Sequence, residues 1–104
     1  MVSRKLLITG AAKRIGAAIA TQLASDGWYV MIHCNRNRQS ADELCNNLLQ
    51  KGLKAEVLQA DLSNPDACIE LIQEASQGEG LYALINNASL FVYDEITEFS
   101  AQTL

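Results

Sequence analysis

The sequence predicts an α/β chain built on a doubly wound parallel sheet with strand order 3-2-1-4. Three observations carry that prediction. Short runs rich in apolar and β-branched residues alternate with longer amphipathic stretches. Each intervening stretch is long enough for the helical crossover that parallel pairing requires. The first run, Leu6-Leu7-Ile8, ends in a glycine turn, Thr9-Gly10-Ala11-Ala12-Lys13-Arg14-Ile15-Gly16, which opens a helical pattern. Strand, glycine turn and helix in that order form the phosphate-binding corner of a Rossmann-type sheet.

The elements follow in order. Leu6 to Thr9 reads as a buried parallel strand. Ile15, Ala18, Ile19, Gln22 and Leu23 then recur at helical spacing, and Gly27 stands where a helix C-cap belongs. Trp28 to Cys34 is rich in strand-forming residues. Ser40-Ala41-Asp42-Glu43 has the form of a capping box, followed by an apolar face of Leu44, Leu48 and Leu49 and a closing Gly52. Lys54 to Gln59 is a third strand. Ser63-Asn64-Pro65-Asp66 starts a third helix, with proline in the first turn and Ile69, Leu71, Ile72 and Ala75 on its apolar face. Gly78 and Gly80 break it, and Leu81 to Ile85 is a fourth strand leading to Asn86-Asn87-Ala88-Ser89. Residues 90–104 read as a tail toward a further helix, with Thr97-Glu98-Phe99 as its start. Residues 1–104 are thus expected to form a single, truncated dinucleotide-binding half-domain.

Composition narrows the partners. A hydrophobic fraction of 49% supports a folded core rather than disorder. The net charge of −4 and the absence of a basic stripe argue against nucleic acid. Lys13, Arg14, Arg36 and Arg38 nevertheless lie beside two turns, which suits a small anionic ligand. Cys34, Cys45 and Cys68 are odd in number and widely spaced, so neither a disulfide scaffold nor a metal site is expected. No apolar stretch approaches the ~20 residues of a membrane span. A soluble, cytoplasmic protein without membrane or nucleic-acid partners is expected. Leu81 to Ile85 would present an open sheet edge, so self-association into a homo-oligomer is expected as well.

The motifs state the chemistry. Gly10 can take the backbone angles of a tight turn, and Gly16 permits close approach of the helix to the sheet or to a ligand. Free amides at the helix start, aided by the helix dipole, attract phosphate. A P-loop is excluded, because counting from Gly10 the second glycine falls on Ile15 and the lysine on Gly16. After the second strand, His33-Cys34-Asn35-Arg36-Asn37-Arg38 contains no acid and two arginines. A carboxylate there would hold the ribose hydroxyls of NAD, whereas guanidinium favours the 2′-phosphate of NADP(H). His33 reads as a packed or cofactor-side residue rather than a catalytic base. Asp61 either accepts from an adenine amino group or caps the following turn. Asn86 and Asn87, at the carboxyl edge where such sheets bind ligands, either fix backbone geometry or hold a ribose.

Together Thr9-Gly10 with Gly16, Asp61-Leu62 and Asn86-Asn87-Ala88 resemble the short-chain dehydrogenase/reductase family in order and spacing. The resemblance covers nearly all of this chain and the amino-terminal half of a family member. Arg14 stands where the family usually has a small residue, and the Thr-Gly-Ala-Ala-Lys-Arg-x-Gly turn is similar to that of the pteridine-reductase branch. That branch also reads Asn-Asn-Ala-Ser after strand four, with an aromatic residue two positions beyond the serine, here Ser89 and Phe91. The resemblance implies an NADPH-dependent reductase of pterins, dihydrofolate or similar carbonyl and imine compounds. It implies Gly10, Lys13, Arg14, Ile15, Gly16, Asn35, Arg36, Asn37, Asp61, Leu62, Asn87 and Ala88 as cofactor residues. Arg14, Ser89 and Phe91 would meet the substrate, which suits a flat heterocycle that wants an aromatic platform and fixed polar groups. The family's catalytic Tyr-x-x-x-Lys pair is not found: four residues after Tyr29, Tyr82 and Tyr93 stand His33, Asn86 and Thr97. The chain by itself is therefore expected to hold the cofactor without reducing a substrate. The alternative is a non-catalytic dinucleotide-binding or self-associating module.

Overall fold

Alternation along the first two strands decides which way the helices pack. The computed structural model of the protein describes residues 4–11, 14–78 and 80–87. Its elements run β1 (Lys5–Ile8), α1 (Arg14–Ser25), β2 (Tyr29–Cys34), α2 (Arg38–Gln50), β3 (Ala55–Gln59), α3 (Pro65–Ala75) and β4 (Ala83–Ile85). Successive strand side chains point to opposite faces. Leu6, Ile8, Val30, Ile32 and Cys34 accordingly pack with Ala20 and Ala24 of α1 and with Ala41, Cys45 and Leu48 of α2. Leu7, Met31 and Leu58 pack on the other side with Leu71 and Ala75 of α3. The sheet is thus covered on both faces, which explains why its central strands are largely apolar, His33 and the edge residue Lys5 apart.

The strand order is β3-β2-β1-β4, as expected, and every pair is parallel. Leu7 stands beside Met31 and Leu84, and Val30 beside Ala55. Parallel pairing sends the carboxyl ends of all four strands to one edge. Residues 9–11, 33–37, 60–62 and 86–87 therefore meet there.

Helix ends account for most boundary differences. Gly27 N–H bonds to Ala24 O and Trp28 N–H to Leu23 O, a Schellman closure of α1. Trp28 is spent on that closure, so β2 begins at Tyr29. Gly52 and Leu53 close α2 in the same way on Leu49 and Leu48, and β3 begins only at Ala55. α3 starts as read: Asn64 Oδ1 accepts from the amides of Asp66 and Ala67, with Pro65 in the first turn.

Four expectations need correction. Ser40 does not cap α2. Asn37 is the N-cap residue, its carbonyl already accepts from Ala41 N–H, and Ser40 lies inside the first turn. The helix begins three residues earlier than the capping-box pattern implies, and its buried face is Ala41, Cys45 and Leu48, while Leu49 is exposed. β4 is Ala83–Ile85 rather than Leu81 to Ile85, although Tyr82 N–H still bonds to Lys5 O. On α3, Leu71 and Ala75 are buried but Ile69 and Ile72 are exposed. The expected sites at Lys13, Ala88, Ser89 and Phe91, and the tail 90–104, lie outside the described residues.

Candidate cofactor site at the carboxyl edge

The glycine turn after β1 is held by side chains from two other strands. Gly10 has φ +64, a left-handed conformation that disfavours a side chain. Its N–H donates to His33 Nδ1 at 3.0 Å, and its carbonyl accepts from Asn87 Nδ2 at 3.1 Å. Ala11 N–H donates to the His33 carbonyl at 3.1 Å. Thr9 N–H pairs with Ile85 O at 3.0 Å, and its hydroxyl donates to Asn86 Oδ1 at 3.0 Å. The amides of Thr9, Gly10 and Ala11 and the Gly10 carbonyl are thereby satisfied, as buried polar groups require.

Gly16 serves close approach. It is buried in α1, and a Cβ there would lie 2.6 Å from Asn87 Nδ2 and 2.7 Å from Gly10 O. The helix thus rests directly on the turn, a tighter reason for glycine than proximity to the sheet. At its start Arg14 and Ile15 are exposed, and Arg14 takes the unusual non-glycine φ of +26. Backbone strain of this kind clusters at ligand clamps.

The β2–α2 turn carries the arginines. Asn35 and Arg36 are exposed, and the Asn35 carbonyl accepts from Gln59 Nε2 at 2.8 Å. Arg38 is the first residue of α2 and bonds Asp42 through Nε at 3.0 Å. The first turn of α2 contains no acid, and Asn37 makes no side-chain cap. The first turn of this helix is therefore electropositive, and the carboxylate closest along it, Asp42, is paired with Arg38.

Asp61 follows β3. One carboxylate oxygen accepts from Ser63 Oγ at 2.7 Å and from Ser63 N–H at 3.0 Å. The Ser63 hydroxyl, then its amide, and last the charge of Arg36 hold the Asp61 carboxyl below its ordinary value. Both readings left open for Asp61 are thus compatible, because closing the turn uses one oxygen only. Leu62 is half-buried against the α3-side core.

Reading the sequence missed His33 as a bracket for the turn. Its ring is 2% exposed, Nε2 lies 2.9 Å from Ala60 O, and burial pushes its pKa down. The available signal was a lone polar residue within the apolar run Tyr29–Cys34. Asn87 also does two jobs. It fixes Gly10 through Nδ2, and its buried Oδ1 has no partner among the described residues. No group of three or more metal-ligating side chains occurs among the described residues, nor any helix long and apolar enough to cross a membrane.

Comparison with known proteins gives this edge a context. The chain is 36% identical over 100 residues to the uncharacterized oxidoreductase YgfF of Escherichia coli, covering 94% of this chain and 40% of that protein. It is 31% identical over 90 residues to the 3-oxoacyl-acyl-carrier-protein reductase FabG of Staphylococcus epidermidis, covering 86% and 37%. It therefore spans about two fifths of the length of the curated relatives it matches. Among solved structures, FolM, alternative dihydrofolate reductase 1 of Brucella suis in complex with NADP, superposes with a TM-score of 0.74 at 40% identity, covering 81% of this chain and 34% of FolM. A dehydrogenase/reductase from Sinorhizobium meliloti gives a TM-score of 0.78 at 28% identity, covering 84% and 35%. The family model for short chain dehydrogenases matches residues 4–104, which hold the Gly10 turn, Asp61 and the Asn86-Asn87 pair, and the chain belongs to that family.

Proposed function

We propose that this chain is the cofactor-holding part of an NADPH-dependent reductase acting on pterins or dihydrofolate. The observation that carries the cofactor half of this reading is the β2–α2 turn: Arg36 exposed, Arg38 opening α2, and no carboxylate from His33 to Arg38. That arrangement suits a 2′-phosphate and offers nothing to bind a free ribose diol. The FolM structure, at 40% identity, is a complex with NADP. The site also fits a dinucleotide on its own terms. Gly16 lets the start of α1 rest against the Gly10 turn, where a Cβ would clash, and the buried Asn87 Oδ1, without a partner among the described residues, can accept from a donor such as a ribose hydroxyl.

In this reading the amides at the start of α1 take the pyrophosphate, with Gly10 shaping the turn and Lys13, Arg14, Ile15 and Gly16 around it. Asn35, Arg36 and Asn37 take the 2′-phosphate, Asp61 and Leu62 the adenine, and Asn87 and Ala88 the nicotinamide-side ribose. The nicotinamide, when bound, supplies hydride. Arg14 bridges cofactor phosphate and substrate, and Ser89 and Phe91 bind and stack the heterocycle. The Tyr-x-x-x-Lys pair that relatives of this type use as proton donor is not among these 104 residues, so the chain by itself binds and orients without turnover. We further propose a cytoplasmic homo-oligomer without nucleic-acid or membrane partners.

Calorimetric titration of the chain with NADPH and NADH tests the reading. NADPH should bind at least about tenfold more tightly, as one charge-assisted contact provides. Arg36→Ala and Arg14→Ala should each weaken NADPH far more than NADH. Dihydrofolate should bind the NADPH-loaded wild type and not Arg14→Ala. Equal affinity for the two cofactors, or no binding of either, overturns the proposal.

A further inference from the structure

His33 is the chain's single histidine, buried at the carboxyl end of β2 on the sheet face that α3 covers. Used only as filling, it would leave two ring nitrogens to satisfy. Both are used, and each is bonded to a different wall of the site. Gly10 N–H donates to Nδ1 at 3.0 Å, and Nε2 lies 2.9 Å from the carbonyl oxygen of Ala60, the residue before Asp61. A carbonyl only accepts, so Nε2 carries the proton and Nδ1 is the bare acceptor. The two contacts fix both the charge and the tautomer of the ring.

We infer that His33 is a positioning residue for the dinucleotide: its neutral Nε2–H ring is a strut that sets the Gly10 turn at a fixed distance from the Ala60-Asp61 corner. The inference rests on the NADP(H) reading above, in which one ligand must span both walls. It also assigns donors. Gly10 N–H and Ala11 N–H are both committed to His33, one to the ring and one to the carbonyl. Among the described residues, phosphate is left with the amides at the start of α1, from Arg14 onward. A second proton on the ring would land on Nδ1 and set N–H against the Gly10 N–H, breaking the strut at the phosphate end.

The environment keeps that proton off at neutral pH. Burial, the larger influence, lowers the pKa of His33, and the bond to Ala60 acts the other way. Among the described residues, the charged groups on the surrounding elements are Lys5 on β1, Arg14 at the start of α1, Arg36 and Arg38 at the β2–α2 turn, Asp42 and Glu43 on α2, Glu56 on β3, Asp61 after it, and Asp66, Glu70 and Glu74 on α3. Neither ring nitrogen is bonded to any of them.

Three proteins test the inference: wild type, His33→Asn and His33→Leu. Asparagine places Oδ1 where Nδ1 sits and cannot reach Ala60, whereas leucine fills space and makes neither bond. Nitrogen NMR of the wild-type imidazole should show the neutral Nε2–H tautomer at pH 7. Wild-type NADPH affinity should fall about tenfold, the worth of one lost buried acceptor, as the ring titrates below the ordinary histidine range. His33→Asn should bind more tightly than His33→Leu at neutral pH and should lack the acid decline of His33. The second ionisation of the 2′-phosphate, near pH ~6, is common to both proteins and cancels in their comparison. His33→Leu, once circular dichroism shows it folded, should bind NADPH about tenfold more weakly than wild type at neutral pH. If it fails to fold, His33→Asn and the tautomer decide.

A charged ring or an Nδ1–H tautomer at neutral pH overturns the inference. So does an unchanged acid decline in His33→Asn, or wild-type affinity in folded His33→Leu. Wild-type protein that binds NADPH while the variants make no difference overturns the strut alone. Wild-type protein that binds no NADPH overturns the cofactor reading, and the strut with it.

Discussion

Asn87 Nδ2 occupies the place where a side chain on residue 16 would have to begin, 2.6 Å from the position of a Cβ. Gly10 O and Ala11 Cα lie within 2.8 Å of the same point, so two of the three obstacles belong to backbone. Gly16→Ala should therefore push α1 off the turn. It should lower stability by about 1–3 kcal/mol, the usual cost of overpacking, and weaken NADPH, measured by urea denaturation and calorimetry. Asn87→Ala on the same background should not restore stability, because the backbone obstacles remain.

The cap of α3 lies in the β3–α3 turn three residues after Asp61, with its side chain bonded to the helix amides rather than to the Asp61 carboxylate. Asn64 Oδ1 accepts from Asp66 N–H at 2.9 Å, and Asn64→Ala removes that acceptor. Stability should fall by about 1 kcal/mol with NADPH affinity unchanged. A parallel loss of affinity would mean that α3 is coupled to the cofactor edge.

Arg38 is divided between Asp42 and any phosphate that arrives. The pair is about half exposed, and pairs of this i,i+4 type contribute about 0.3–0.5 kcal/mol. Asp42→Asn removes a negative charge from the same helix and turns a charged competing acceptor into a weaker neutral one. NADPH should bind about twofold more tightly, NADH should be unchanged, and high salt should erase the gain.

Stability should depend on pH through His33. Its pKa is lower in the folded chain than in the unfolded one, so between the two values the unfolded chain binds more protons and stability rises with pH. The contribution is complete above the ordinary histidine value and is lost as pH falls through the folded value. Urea denaturation between about pH 8 and pH 5 should show this slope in wild type and a flatter one in His33→Asn. Asp61 acts in the same direction at lower pH, since its folded pKa is also depressed, but it is fully exposed and adds little.

The sheet was legible because its signals are local. Apolar runs, crossover lengths and the Gly27 and Gly52 closures all lie within a few residues of what they specify. The start of α2 was misread for an equally local reason. Ser40-Ala41-Asp42-Glu43 satisfies the capping pattern, but Asn37 one turn earlier serves as the cap residue without a side-chain bond that composition could reveal. The corner residues Gly10, Gly16, Asp61 and Asn87 were found by motif, yet their partners were not. That Asn87 holds Gly10, or that His33 holds both Gly10 and Ala60, depends on strand register, and register is set by long-range packing.

The Gly10 peptide is gripped at its N–H by a residue 23 positions on and at its carbonyl by one 77 positions on. Closing loops of that length costs entropy and is slow relative to local helix formation. The turn can take its shape only after β2 and β4 have both docked against β1. A nascent chain that has not yet emerged as far as Asn87 can pair three strands and still present no finished phosphate corner. Nucleotide capture would then mark the end of assembly, and by linkage a nucleotide present during synthesis would favour the assembled chain.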